Sequence, residues 1–152
     1  MRRTLFTVLA IAVVGAIAVG PAAGAKGTTV LIRHQVVGCH AWSANGGPFK
    51  AALTLQLAQG ASATIVNNDV MAHKLVQTGG AKVAIVKLPS TMMDMSHEFS
   101  GPGVMAHMGA SIRVTFAKAG VYTFMTRAGE DYMKGMATKG EDNVLKLKVV
   151  VS

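Results

Sequence analysis

Cysteine is nearly absent from this chain. Cys39 is the only one among 152 residues, so no internal disulfide can form. Carboxylates are scarce too, seven Asp and Glu against 15 Lys and Arg, for a net charge of +8. The basic residues are spread along the chain and do not interleave with aromatics in a cluster, which excludes a nucleic-acid footprint. That balance instead suits an acidic protein partner or an anionic surface. Long stretches with apolar residues at helical spacing are missing as well, which excludes a helical bundle.

What is present begins with a leader. Arg2 and Arg3 precede a continuous apolar run from Leu5 to Val19, and Ala23-Gly24-Ala25 then provides the small-x-small pattern of a signal-peptidase site. Residues 1–25 are therefore read as a secretory signal and 26–152 as one domain, a size that supports a single buried core. The mature chain is expected to be exported, to the periplasm, the cell surface or the medium. A membrane enters the picture only if the leader is retained as an anchor, and its apolar run is slightly short for a full span. Two basic and no acidic residues leave with the leader, so the mature chain remains basic at about +6. A lone thiol outside the cytosol is prone to oxidation. It is better understood as a thiolate held by a metal, against the plainer reading of a small buried hydrophobe.

Beyond the leader the hydrophobic period is two. Leu53, Leu55 and Leu57 alternate with Thr54 and Gln56; Ile112, Val114 and Phe116 alternate with Arg113 and Thr115; Leu145, Leu147 and Val149 alternate with Lys146 and Lys148. Such alternation marks half-buried strands. Eight are expected, at residues 28–35, 51–57, 61–67, 73–77, 82–88, 111–116, 121–126 and 144–151, and their number and spacing point to an all-β Greek-key sandwich. If successive strands run alternately up and down, the short connections at 58–60, 78–81 and 117–120 fall at one end. The long ones, at 36–50, 68–72, 89–110 and 127–143, gather at the other. His34, Cys39, His40, His73, His97, His107, Glu130, Asp131, Met133 and Met136 all lie in or beside those long loops. The metal-capable side chains are thus expected at one pole, where loops on a rigid scaffold usually carry function.

Two segments resemble the cupredoxin family. Asn67-Asn68-Asp69-Val70-Met71-Ala72-His73 is similar to the family's N-x-D-x-x-x-H, whose histidine is a copper ligand. From Phe116 the chain reads F-A-K-A-G-V-Y-T-F-M-T-R-A-G-E-D-Y-M-K-G-M before a last strand, and Gly120, Tyr122 and Phe124 match the family's G-x-Y-x-F-x-C. The resemblance implies a cupredoxin-like fold, a copper cofactor and His73 as ligand, with Met136 a match for the axial methionine. Thr126, however, stands where the family's cysteine belongs, and Glu130 or Asp131 near its second histidine. An ordinary blue-copper site cannot form from that loop, which directs attention to Gly38-Cys39-His40-Ala41-Trp42 as the source of thiolate and imidazole.

The expected centre is therefore Cys39, His40, His73 and Glu130 around one copper ion, in preference to zinc. His34 replaces His40 if the chain does not turn at Gly38. The ligand types, though not their positions, resemble those of the red copper protein nitrosocyanin, and a carboxylate in place of a thioether favours Cu(II). Met92-Met93-Asp94-Met95-Ser96-His97 and Met105-Ala106-His107-Met108 form a second candidate region. Its Met95, His97, Met105, His107 and Met108, together with Met133 and Met136, are soft ligands for Cu(I), or else adaptable apolar filler. Four functions follow: single-electron transfer with a redox or copper-transfer partner bearing an acidic face; copper storage, delivery or resistance; a metal-free binding module; and a copper enzyme. The last is set aside, because no acid–base pair or substrate pocket accompanies the proposed ligands.

Overall fold

The computed structural model describes residues 27–34, 40–90, 101–128 and 144–152. Ten strands are formed there: β1 (Thr28–His34), β2 (His40–Ala44), β3 (Ala52–Leu57), β4 (Ser62–Asn67), β5 (His73–Gly79), β6 (Ala84–Lys87), β7 (Val104–Met105), β8 (Ser111–Thr115), β9 (Gly120–Ala128) and β10 (Leu145–Val151). Eight are those expected from the period-two alternation, and their side chains do alternate between core and surface, most plainly in β4, β8 and β10. Two depart from expectation. The stretch read as one long loop, 36–50, contains β2, and 89–110 contains the two-residue β7.

The strands make two five-stranded sheets, in the orders β2-β1-β4-β8-β6 and β3-β10-β9-β5-β7. Only β1–β2 and β9–β10 are neighbours both along the chain and within a sheet; most connections cross between layers, as in a Greek-key sandwich. Two adjacent pairs, β1 with β4 and β3 with β10, are parallel. The remaining pairs are antiparallel. Within the first sheet β1, β4 and β6 run one way and β8 the other; within the second, β3, β5 and β10 oppose β9. That is what alternation of the eight expected strands requires, so the parallel pairs come from neighbours distant in sequence.

Between the layers lie Val30, Ile32, Trp42, Ile65, Ile112, Phe116, Tyr122, Phe124, Leu145 and Val149. Phe116 meets Tyr122 and Phe124 edge to face, with centroids 5.1 and 6.2 Å apart, the geometry aromatic quadrupoles favour. Trp42 is fully buried, in keeping with a packing role. At the end away from the long loops, the Tyr122 hydroxyl donates to the Lys118 carbonyl at 2.6 Å, tying β9 to the turn before it as tyrosine corners do.

Candidate metal centre

The strand ends decide which side chains meet. His34 closes β1 and pairs across the sheet with His40, which opens β2. In the other sheet His73 opens β5 and pairs with Met105 of β7 on one side and Ala128 of β9 on the other. Loop 68–72 joins β4 of the first sheet to β5 of the second, and two Asx turns in succession shape it. Asn67 Oδ1 accepts the Asp69 N–H at 2.9 Å, and Asp69 Oδ1 accepts the Met71 N–H at 3.1 Å, each side chain capping the backbone two residues on. Asn67 Nδ2 lies near three carbonyls, Met71 at 2.7 Å, Met105 at 3.2 Å and His107 at 3.3 Å. One buried amide thereby links loop 68–72 to the segment after β7.

This turn aims Asp69 Oδ2 between two imidazoles. It lies 2.7 Å from His40 Nδ1 and 3.3 Å from His73 Nε2, and all three side chains are withdrawn from solvent. Burial alone would raise the Asp69 pKa. The hydrogen bonds from His73, the Met71 N–H and His40, with the charge His40 can carry, outweigh it and hold the carboxyl well below the usual carboxylate range. An ionised carboxylate only accepts hydrogen bonds, so the protons belong to His40 Nδ1 and His73 Nε2. In the neutral rings the lone pairs then sit on His40 Nε2 and His73 Nδ1. His73 Nδ1 is buried and has no hydrogen-bond partner among the described residues. A buried imidazole fixed by a carboxylate at one nitrogen and bare at the other is the arrangement of a metal-ligating histidine.

His34, His40 and His73 form a chain of edge-on rings, with centroids 5.4 Å apart for the first pair and 5.0 Å for the second. One ligand atom each from His34, His40 and Asp69 lies within 4.8 Å of the others, so these three can also surround an ion. The two hydrogen bonds at Oδ2 and the third at Oδ1 occupy most of the acceptor capacity of Asp69, which favours its part as the group that orients imidazoles over that of a ligand.

Of the expected ligands, His40 and His73 are brought together, with exposed His34 beside them. Cys39, Glu130, Met133, Met136, Met95 and His97 lie outside the described residues. Met105 is fully buried in the core. His107 Nδ1 donates to the Met108 carbonyl at 2.9 Å and its Nε2 lies 3.4 Å from Ser90 Oγ, while Met108 is 45% exposed. Thr126 is fully buried and pairs with Leu75 beneath His73, so the family's cysteine position holds an internal hydroxyl. Among the described residues of the candidate site, Asp69 is one that sequence reasoning passed over. Its signal was the Asn-x-Asp pair two residues apart, which encodes the double Asx turn.

The described residues thus form an all-β sandwich of two five-stranded sheets, with a histidine–carboxylate cluster at one pole in which His34, His40 and Asp69 could hold a metal ion. No family model and no curated protein matches the chain. Among solved structures it is similar to amicyanin from Paracoccus versutus (Thiobacillus versutus), at 14% identity and a TM-score of 0.40 over 84% of this chain and 83% of that one. A methionine-to-alanine variant of amicyanin with Cu(I) matches at 12% identity and 0.36, over 82% of each chain. A likeness this remote says nothing of the ligands or activity of this chain. No helix among the described residues is long and apolar enough to cross a membrane.

Proposed function

We propose that this chain is an exported copper protein that carries single electrons through one mononuclear centre. His40 and His73 supply imidazole, Cys39 the thiolate and Glu130 a carboxylate. The observation that carries this reading is the pair of buried rings anchored on Asp69, with His73 Nδ1 lacking a hydrogen-bond partner among the described residues. A buried imidazole nitrogen without a partner costs free energy unless a ligand satisfies it. Cys39 directly precedes His40. Glu130 follows by two residues the strand residue, Ala128, that pairs with His73. Copper bound there would supply a one-electron couple. The chain's own part is to fix both imidazole tautomers and keep solvent from the rings. The basic mature chain suits a redox partner with an acidic face, and the leader at 1–25 suits export.

The test is a Cu(II) titration of the mature protein followed by visible absorption. The reading expects one copper per chain, an intense sulfur-to-copper band that disappears in Cys39→Ser, and reversible reduction. A chain that takes up no copper, or whose spectrum is unchanged by that substitution, overturns it.

A further inference from the structure

Next to the buried cluster a groove of about 360 Å³ opens to solvent, with His34, Asp69, Met71 and Met108 among its walls. We propose that this groove is a second copper site, selective for Cu(I), in which His34, Met71 and Met108 bind the ion above the Asp69 carboxylate and pass it inward.

Two thioethers and an imidazole form a soft donor set, the kind that selects Cu(I) over harder cations. Both methionines are set on pinned backbone. The Met71 N–H donates to Asp69 Oδ1 and its carbonyl accepts from Asn67 Nδ2. The Met108 carbonyl accepts from His107 Nδ1. Gly109, at a φ of +85° that favours glycine, donates its N–H to the Asn67 carbonyl at 2.7 Å. Methionine as adaptable filler accounts for Met105, which is fully buried, but not for Met108, which is 45% exposed beside 76%-exposed Val70. Asp69 is itself part of the groove wall. Arg33 also borders the groove, yet its guanidinium lies over the Phe49 ring, 5.8 Å from the centroid, a cation–π placement that engages its charge. The inward path is short, because ligand atoms of His34, His40 and Asp69 lie within 4.8 Å of one another. Handover is a ligand exchange with no change of oxidation state. The inward role rests on the copper centre proposed above; the groove site does not.

Silver(I), an air-stable and redox-silent stand-in for Cu(I), is the probe, added to the mature protein carrying 13C-methyl methionine. The site expects the Met71 and Met108 methyl resonances to shift at a stoichiometric addition. It also expects at least a tenfold loss of Ag(I) affinity in the Met71→Leu/Met108→Leu double variant, a near volume-conserving change, and in His34→Gln, which alters an exposed position. Cys39→Ser should keep those methyl shifts, which separates this site from the thiolate centre. Methyl shifts confined to other methionines, or wild-type Ag(I) affinity in both the double variant and His34→Gln, overturn the proposal. If the groove binds Ag(I) but Cu(II) gives no sulfur-to-copper band, the electron-transfer reading falls and the groove site stands.

Discussion

Asp69 Oδ2 and His40 Nδ1 lie 2.7 Å apart with neither side chain reaching solvent, and the same oxygen reaches His73. In Asp69→Asn the amide keeps the shape but loses the charge, and cannot accept from both rings as strongly. Stability should fall by about 2–3 kcal/mol, as when a buried hydrogen-bonded charge is lost, read from urea unfolding of the metal-free protein. Copper affinity should fall about 10- to 100-fold, the usual effect of removing a group that orients a ligand, read by competition with a chelator.

The same carboxylate sets a pH dependence. Its folded pKa lies below its ordinary value of 3.8, so the unfolded chain binds its proton first as pH falls, and the contribution is present above that value and lost below it. The stability advantage of the wild type over Asp69→Asn should persist from neutral pH down to about pH 4 and shrink below it, as urea unfolding across a pH series will show. An advantage already lost at pH 6 would contradict this account of Asp69.

Asn67 is fully buried and engages four backbone groups. Asn67→Ala should cost about 3 kcal/mol, since several buried groups lose a partner together. It should also weaken copper binding, because the turn that aims Asp69 is released. Asn67→Asp keeps the acceptor for the Asp69 N–H but turns a buried carboxylate oxygen toward the three carbonyls, acceptor against acceptor, so it should cost at least as much as Asn67→Ala. Denaturation midpoints and chelator competition on the three proteins check the order.

Tyr122→Phe removes the hydroxyl that donates to Lys118. Stability should drop by about 1 kcal/mol, the net value of one hydrogen bond, while copper affinity stays at the wild-type level because this corner lies at the other end of the sandwich. A parallel loss of copper binding would show that the two ends are coupled.

The fold was largely legible from residue order, because alternation in runs such as Ser62–Asn67 and Leu145–Val151 reports directly on which face is wet. His40–Ala44 escaped that reading for a physical reason: its first four residues are all buried, so no polar partner breaks the run, and its histidine and serine look like loop chemistry. Val104–Met105 is too short to carry a period at all. In the candidate site, His73 could be read from the residues leading up to it. The clamp by Asp69 could not, since it joins a turn residue to a strand end 29 positions earlier in the chain, and that juxtaposition is set by long-range pairing of β1 with β4. The same turn chemistry that makes Asn and Asp common in loops hid the contacts of Asp69 with the two rings.

His40 belongs to one layer and His73 to the other, and a single oxygen is shared between them. Sliding of the layers past each other at this pole must therefore break one of its two contacts, so Asp69 acts as a rivet against shear. If the proposed copper centre forms here, an ion whose charge changes by one would find these imidazoles held in place by the scaffold. Little atomic rearrangement would accompany each arrival or departure of an electron, and the barrier to exchange with a docked protein would be correspondingly low.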